Sequence, residues 1–286
     1  MSDQLWPAPA KLNLLLHITG QREDGYHTLQ TVFQFLNYGD TLQISVANHA
    51  TITLTGSPDS VVMTDDLVYR AAHLLQRSAH CILGADIQLQ KKIPLGAGLG
   101  GGSSDAATCL VALNYLWKLN LTTPQLAEIG LQLGADVPVF IHGHAAFAEG
   151  VGEKLSAISL DEPWFLVLIP AVEVSTREIF SHPQLTRACS AFKICDLSQQ
   201  QWDNVCTPIV VDLYPEVAQA IEIIGKFSPA KMSGTGASVF ARFDRKVEAE
   251  QALREISLQY LPENAKLFLA QGLNVSPLHA FLNKCG

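Results

Sequence analysis

The run Pro94-Leu95-Gly96-Ala97-Gly98-Leu99-Gly100-Gly101-Gly102-Ser103-Ser104 constrains the fold more than any other stretch of this 286-residue chain. Five of the seven positions from 96 to 102 are glycine. Without a Cβ, such residues take positive φ and let the backbone approach a ligand closely. Upstream, DIQLQKKI (86–93) alternates, with Ile87, Leu89 and Ile93 on one side and Lys92 on the other, which predicts a half-exposed strand. Downstream, SSDAATCLVALNYLWKL (103–119) has helical periodicity, with a Ser as its expected N-cap and Asp105 in the first turn. A strand, a glycine turn and a helix start together form an anion cradle of unpaired N–H groups at a positive dipole end. Ser103 and Ser104 would add hydroxyls there. The bland reading, a flexible loop, gives no reason for so many glycines next to a capped helix.

Two known cradles match poorly. A Walker A loop carries Lys before its Ser or Thr, and no Lys precedes these serines. Gly96, Gly98 and Gly101 fit the spacing of a dinucleotide fingerprint. The strand before them, however, alternates with charge, whereas a Rossmann strand is buried on both faces. About 20 residues further on, where an acidic residue would hold a ribose, the chain reads LNLTTPQ.

Elsewhere the pattern is α+β. TLQISV (41–46) and ATITLTG (50–56) predict a hairpin around Asn48-His49. DLVYRAAHLLQRSAH (66–80) predicts a helix burying Leu67, Ala71, Leu74 and Leu75, and TPQLAEIGLQLG (123–134) predicts another. HGHAAFAEGVGEKL reads as turns leading to a boundary, so domains are expected at 1–157 and 158–286. In the second half, strands at 164–175, 238–243 and 266–274 alternate with helices at 214–227 and 246–257. That order predicts a sandwich of the split βαβ kind.

Acidic residues number 27 against 19 basic, a formal charge of −8. This field disfavours nucleic acid and anionic membrane, but a local nest of N–H groups can still take a small anion. The six cysteines form no C-x-x-C pair, so reduced thiols and a cytoplasmic location are expected. The N-terminus lacks the pattern of a signal peptide, and no apolar run reaches membrane-spanning length.

Several side chains carry two readings. Asp136, in LGADVPVF, is either a helix cap or a carboxylate that orients or deprotonates a nucleophile. Lys11, in PAKLNLLLHI, either snorkels or points into a site. Tyr26 and His27 follow Asp24-Gly25 and either decorate a turn or read a base by stacking and hydrogen bonding. The glycines of KMSGTGASVFA (231–241) form either a tight turn or a second backbone nest. His142 and His144 have no companion Cys/His cluster, so no metal site is expected.

A Lys-bearing N-terminal strand, a P-x-G-x-G-L-G-x-x-S-S loop and a C-terminal Gly-rich motif, in this order, resemble the GHMP kinase superfamily. APAKLNLLLHITGQREDGYHTLQTVFQFLNYGD (8–40), LGADVPVFIHGHAAFAEGVGE (133–153) and NVSPLHAF (274–281) look like its branch acting on cytidine-diphosphate methylerythritol. The likeness spans nearly the whole chain, more weakly over 175–228. It implies a two-domain α+β fold, with a ribosomal-S5-like N-terminal half, a ferredoxin-like C-terminal half and the site between them. It also implies ATP with Mg²⁺, a small-molecule substrate phosphorylated on its 2-hydroxyl in non-mevalonate isoprenoid biosynthesis, and no obligate protein partner. By the same resemblance, Pro94 to Ser104 wrap the ATP phosphates. Asp136 acts as base with Lys11 beside it, and Asn13, Tyr26, His27, Thr176 and Phe180 hold the substrate, Tyr26 and His27 at the cytosine. Asp66 stands where the family often has Asn near the adenine. The competing readings are a sibling kinase for a sugar or amino-alcohol, a nicotinamide-dependent oxidoreductase and an RNA-binding protein.

Overall fold

The computed structural model describes residues 4–23, 25–192 and 202–285; Asp24 and Cys195 lie outside them. Strands β1 (Leu5–Gln21) and β2 (His27–Ala47) open the chain as a long antiparallel pair. Residues 8–16 of β1 are all buried, so Lys11 lies in a strand covered on both faces. Its pairing with β2 shifts register between Pro9 and Lys11 and again between Asn13 and Leu15. Such irregularities re-aim side chains, and Lys11 and Asn13 sit between the two shifts.

Next come β3 (Ile52–Thr55), α1 (Leu67–Ser78) and β4 (Gly84–Gln90). The hairpin expected between 41–46 and 50–56 does not form. Instead β4 pairs antiparallel with β2 and parallel with β3, inserting between them. The reason lies in side-chain rows. Ile44 faces Ile87, which faces Leu54, and all three are buried in one core. Burial across three strands outweighs a local turn signal.

Helices α2 (Gly101–Leu116), α3 (Thr123–Leu131) and α4 (Val137–His142) join α1 on that face. Much of residues 142–155, expected as turns, instead belongs to a hairpin of β5 (Ala146–Glu149) and β6 (Lys154–Ala157), with β5 added to β2. The glycines supply only its turn, where Gly150 and Gly152 have φ of 75° and 113°.

The second half runs β7 (Trp164–Ile169), α5 (Thr176–Ser181), α6 (Thr207–Leu213), α7 (Pro215–Gly225), β8 (Ala230–Met232), β9 (Val239–Phe243), α8 (Lys246–Gln259), β10 (Lys266–Leu273) and α9 (Pro277–Cys285). Its strands lie in the order β10-β7-β9-β8, each pair antiparallel. This is the ferredoxin-like order expected of a split βαβ unit. Alternation along β7 divides its side chains: Leu166 and Leu168 pack under α7 and α8, while Phe165, Val167 and Ile169 face β1 and β2. Two pairs, Gly272 with Leu36 and Leu273 with Phe35, join β10 to β2 and make one sheet through both halves. The expected boundary after residue 157 falls in the connection from β6 to β7. Helices α5, α6 and α9 were not expected, and α4 only through the cap reading of Asp136; α4, α5 and α6 span only six or seven residues, too few for a clear period. Among the described residues, no helix is long and apolar enough to cross a membrane.

Candidate active site

Between the halves lies a cleft of about 490 Å³, lined by the glycine loop from Pro94 to Ser103 and by Lys11, Asn13, Asp136, Thr176 and Phe180. Gly96, Gly98 and Gly100 have φ of 64°, 72° and 72°, a region that L side chains rarely adopt. The helix therefore starts earlier than its serine suggested, with left-handed Gly100 at the N-cap, three residues before Ser103. Ser103 lines the cleft. Ser104 turns inward, fully buried, and its hydroxyl meets no partner among the described residues.

The loop is tied to the C-terminal glycine motif. Ser233 Oγ donates to Gly98 O (2.9 Å), and Ser238 donates to Ala97 O through both its N–H (3.1 Å) and its hydroxyl. Lys11 N donates to Leu99 O (3.0 Å). Three consecutive carbonyls, 97 to 99, are thus engaged from outside the loop. The approach is close: a Cβ at Gly98 would lie 2.5 Å from the carbonyl oxygens of Ser233 and Gly236.

Lys11 does not snorkel. It is 3% exposed, with its ammonium 3.3 Å from Asp136 Oδ2 and 3.3 Å from Gly98 O, and in a short hydrogen bond to Asn13 Oδ1. Asn13 is fixed in turn by Thr31 Oγ1 (2.8 Å from Nδ2) and Ser233 Oγ (3.0 Å from its backbone N). Asp136 occupies the N-cap position of α4, yet its side chain makes no capping bond. The carboxylate turns to Lys11 and remains 37% exposed toward the cleft. A partly exposed carboxylate against a buried ammonium, in the same cleft as the glycine loop, can orient a hydroxyl.

At the other end, Thr176 Oγ1 meets Thr235 Oγ1 at 2.9 Å, and the Phe180 ring stacks on His27 with centroids 5.5 Å apart. Tyr26 stands 66% exposed. Neither Tyr26 nor His27 lines the cleft itself; His27 touches it through Phe180. Asp66 caps α1 by accepting from Val68 N (2.8 Å). Sequence reasoning passed over Thr31, Phe33 and Thr235, which also line the cleft; only Thr235 carried a signal, between two glycines of an already suspected motif.

A buried ion cluster under the loop was also missed. Lys91 bonds Asp40 and Asp105 Oδ2 (2.7 Å), and Asp40 accepts from Ile93 N (2.8 Å). Asp105, expected as a first-turn charge, is only 3% exposed. Burial pushes its carboxyl up to about 8 against the pull of Lys91. A second cavity, of about 510 Å³, opens beside Trp202, Lys231 and Arg242. There Arg242 bonds Asp161 and Asp244, and Lys231 bonds the backbone carbonyl of Trp202.

A ferredoxin-like half behind a glycine-lined cleft defines a GHMP kinase, and the families described as GHMP kinases N terminal domain and GHMP kinases C terminal match residues 66–144 and 190–261. A relative from Nitrosococcus oceani named 4-diphosphocytidyl-2-C-methyl-D-erythritol kinase is 52% identical over 99% of each chain. One of the same name from Vibrio cholerae is 51% identical over 97% of this chain and 94% of its own. The crystal structure of 4-(cytidine 5'-diphospho)-2C-methyl-D-erythritol kinase matches with a TM-score of 0.80 at 30% identity, covering 94% of this chain and 99% of that one. A mevalonate kinase structure, 15% identical with a TM-score of 0.71 over 95% of this chain and 99% of its own, shares the fold. This chain belongs to the 4-diphosphocytidyl-2-C-methyl-D-erythritol kinase family.

Proposed function

We propose that this chain transfers the γ-phosphoryl of ATP to the 2-hydroxyl of 4-diphosphocytidyl-2-C-methyl-D-erythritol, giving ADP and the 2-phosphate in the non-mevalonate route to isoprenoid precursors. The observation that carries the reading is the Lys11–Asp136 pair, 3.3 Å apart, in the same cleft as the glycine loop. The N–H groups of residues 96 to 103 cradle the phosphates. Asp136 accepts the hydroxyl proton or orients the hydroxyl for in-line attack. The Lys11 ammonium neutralises charge developing on the transferred group. Asn13 holds Lys11 and contacts the polyol, with Thr176 opposite, and Tyr26, His27 and Phe180 hold the cytosine. Phosphoryl transfer is mostly positioning and electrostatics, and these groups supply both.

The Ser103 hydroxyl and the Asp136 carboxylate line the cleft as oxygen donors and would suit Mg²⁺ carried by the nucleotide's own phosphates. When bound, it neutralises phosphate charge. Two domains meeting after residue 157 and a cytoplasmic location complete the reading.

The test is an ADP-release assay with ATP and the cytidine conjugate, run beside mevalonate, homoserine and galactose. Release dependent on the cytidine conjugate is expected. Release with one of the other three alone would transfer the assignment to a sibling kinase.

A further inference from the structure

The segment after α5 supplies a residue that no motif pointed to. Arg187 Nε donates to His27 Nε2 at 3.0 Å. Its Nη2 donates to the carbonyls of Phe180 (3.1 Å) and His182 (2.9 Å), and its Nη1 to that of Leu185 (3.2 Å). One guanidinium therefore grips the imidazole of His27 and the backbone of Phe180, whose rings are stacked on each other. The segment itself is held against the first two strands: Cys189 N donates to Ile18 O (2.9 Å), and Phe192 N to Gln30 Oε1 (2.6 Å).

A guanidinium has donors only. His27 Nε2 must therefore accept, and in a neutral ring the proton then sits on Nδ1. Burial, and then the positive charge of Arg187, lower the His27 pKa, which keeps the ring neutral. Without Arg187 either tautomer is open. Cytosine presents an acceptor at N3, where uracil presents an N–H. An Nδ1–H donor suits the first and opposes the second.

We propose that Arg187 is a positioning residue for base selection, fixing His27 as an Nδ1–H donor and thereby favouring a cytidine over a uridine conjugate. This rests on the reading that the base binds at Tyr26 and His27. Buried polar groups that lose their partner reject an analogue strongly, while a matched donor costs nothing extra. Arg187 is thus expected to act on the choice of base and not on phosphoryl transfer.

Two measurements on the intact protein test this. In a ¹⁵N-histidine correlation spectrum at neutral pH, with His27 assigned by its loss in His27→Gln, Nδ1 should be protonated and Nε2 bare. An Nε2–H tautomer in the wild type would overturn the proposal. In kinetics with cytidine and uridine conjugates, Arg187→Met should raise KM for the cytidine conjugate about tenfold with kcat nearly unchanged, and shrink the cytidine-to-uridine preference by at least about tenfold. Arg187→Lys, which keeps a donor and the charge, should recover part of that preference and keep the proposal testable should the methionine variant fold poorly. If Tyr26→Ala costs cytidine affinity while Arg187→Met changes neither KM nor preference, the positioning role is wrong and the base site stands. If neither variant affects either conjugate, the base binds elsewhere, and the base-site reading and the proposal fall together.

Discussion

Asp136 shows how one side chain can look like a cap and serve otherwise. Its position begins a helix, but its carboxylate turns to Lys11. Asp136→Asn keeps the shape but loses the charge and cannot take a proton, so kcat should fall by about 10²–10⁴-fold, with affinity for a non-hydrolysable ATP analogue unchanged by calorimetry. Lys11→Ala should lower kcat strongly as well, and the double variant should lose less than the product of the two, since paired groups act as a unit. Retained activity in Asp136→Asn would leave that residue as a partner of Lys11 with no part in the transfer. Tyr26 is two-thirds exposed, so its ring is accessible to a base. Base stacking is worth about 1–3 kcal/mol, so Tyr26→Ala should weaken the cytidine conjugate about 5- to 150-fold, leave the ATP analogue alone, and be mimicked only mildly by Tyr26→Phe. At this scale the sequence was readable where chemistry leaves an oddity, a lysine among leucines or five glycines in seven positions. It was silent on Arg187 and Thr31, because an arginine in a polar loop and a threonine in a strand are ordinary until the fold brings them to a partner.

Elements were legible in proportion to their period. Helices α1, α2, α7 and α8 appeared close to their actual spans because several turns repeat a buried face. Strand partners were not legible: β3 chose β4 over its neighbour in sequence because pairing depends on faces that only the assembled sheet defines. The loop ahead of α2 allows a clean steric test. At Gly102, which lines the cleft, an added Cβ would meet only Leu67, at 3.4 Å. Gly102→Val should therefore keep the fold, judged by its melting temperature, and lower ATP affinity at least tenfold, about 1.4 kcal/mol. Gly101 is a worse probe, since a Cβ there comes within 3.3 Å of Lys91 Nζ and would disturb the ion cluster. That cluster sets a pH dependence. Asp105 titrates at about 8 in the folded chain against an ordinary 3.8, so the folded state holds a proton that the unfolded state has released. Its contribution to stability is therefore complete below about pH 4 and is lost as pH rises towards about 8, at most about 1.4 kcal/mol per pH unit. Urea midpoints should fall across that window in the wild type and much less in Asp105→Asn; parallel curves would assign the slope to other groups.

The molecule as a whole is one sheet through two halves, with three buried clusters among the described residues and the cleft between the halves. The sequence announced two halves and three motifs but not the hydrogen bonds that lace the motifs together, since Ser233 and Ser238 resemble any serines in a turn. Ser233 lies outside the cleft's lining, yet its hydroxyl bonds both Gly98 O and Asn13 N. Ser233→Ala removes one acceptor and one donor, a loss of about 1 kcal/mol. It should raise KM for ATP about fivefold while Tm shifts by only a few degrees; an unchanged KM would make the lacing a matter of stability alone. The engagement of carbonyls 97 to 99 reaches further than any single bond. A peptide unit is a small magnet with two poles, and a loop of bare glycines has no preference for which pole it turns toward a guest. Here the far half of the chain holds back the negative poles of residues 97 and 98, while Lys11 holds that of residue 99. A gene fragment encoding only the first half would carry every letter of the glycine motif and still lack the serines that set which way two of its peptides turn.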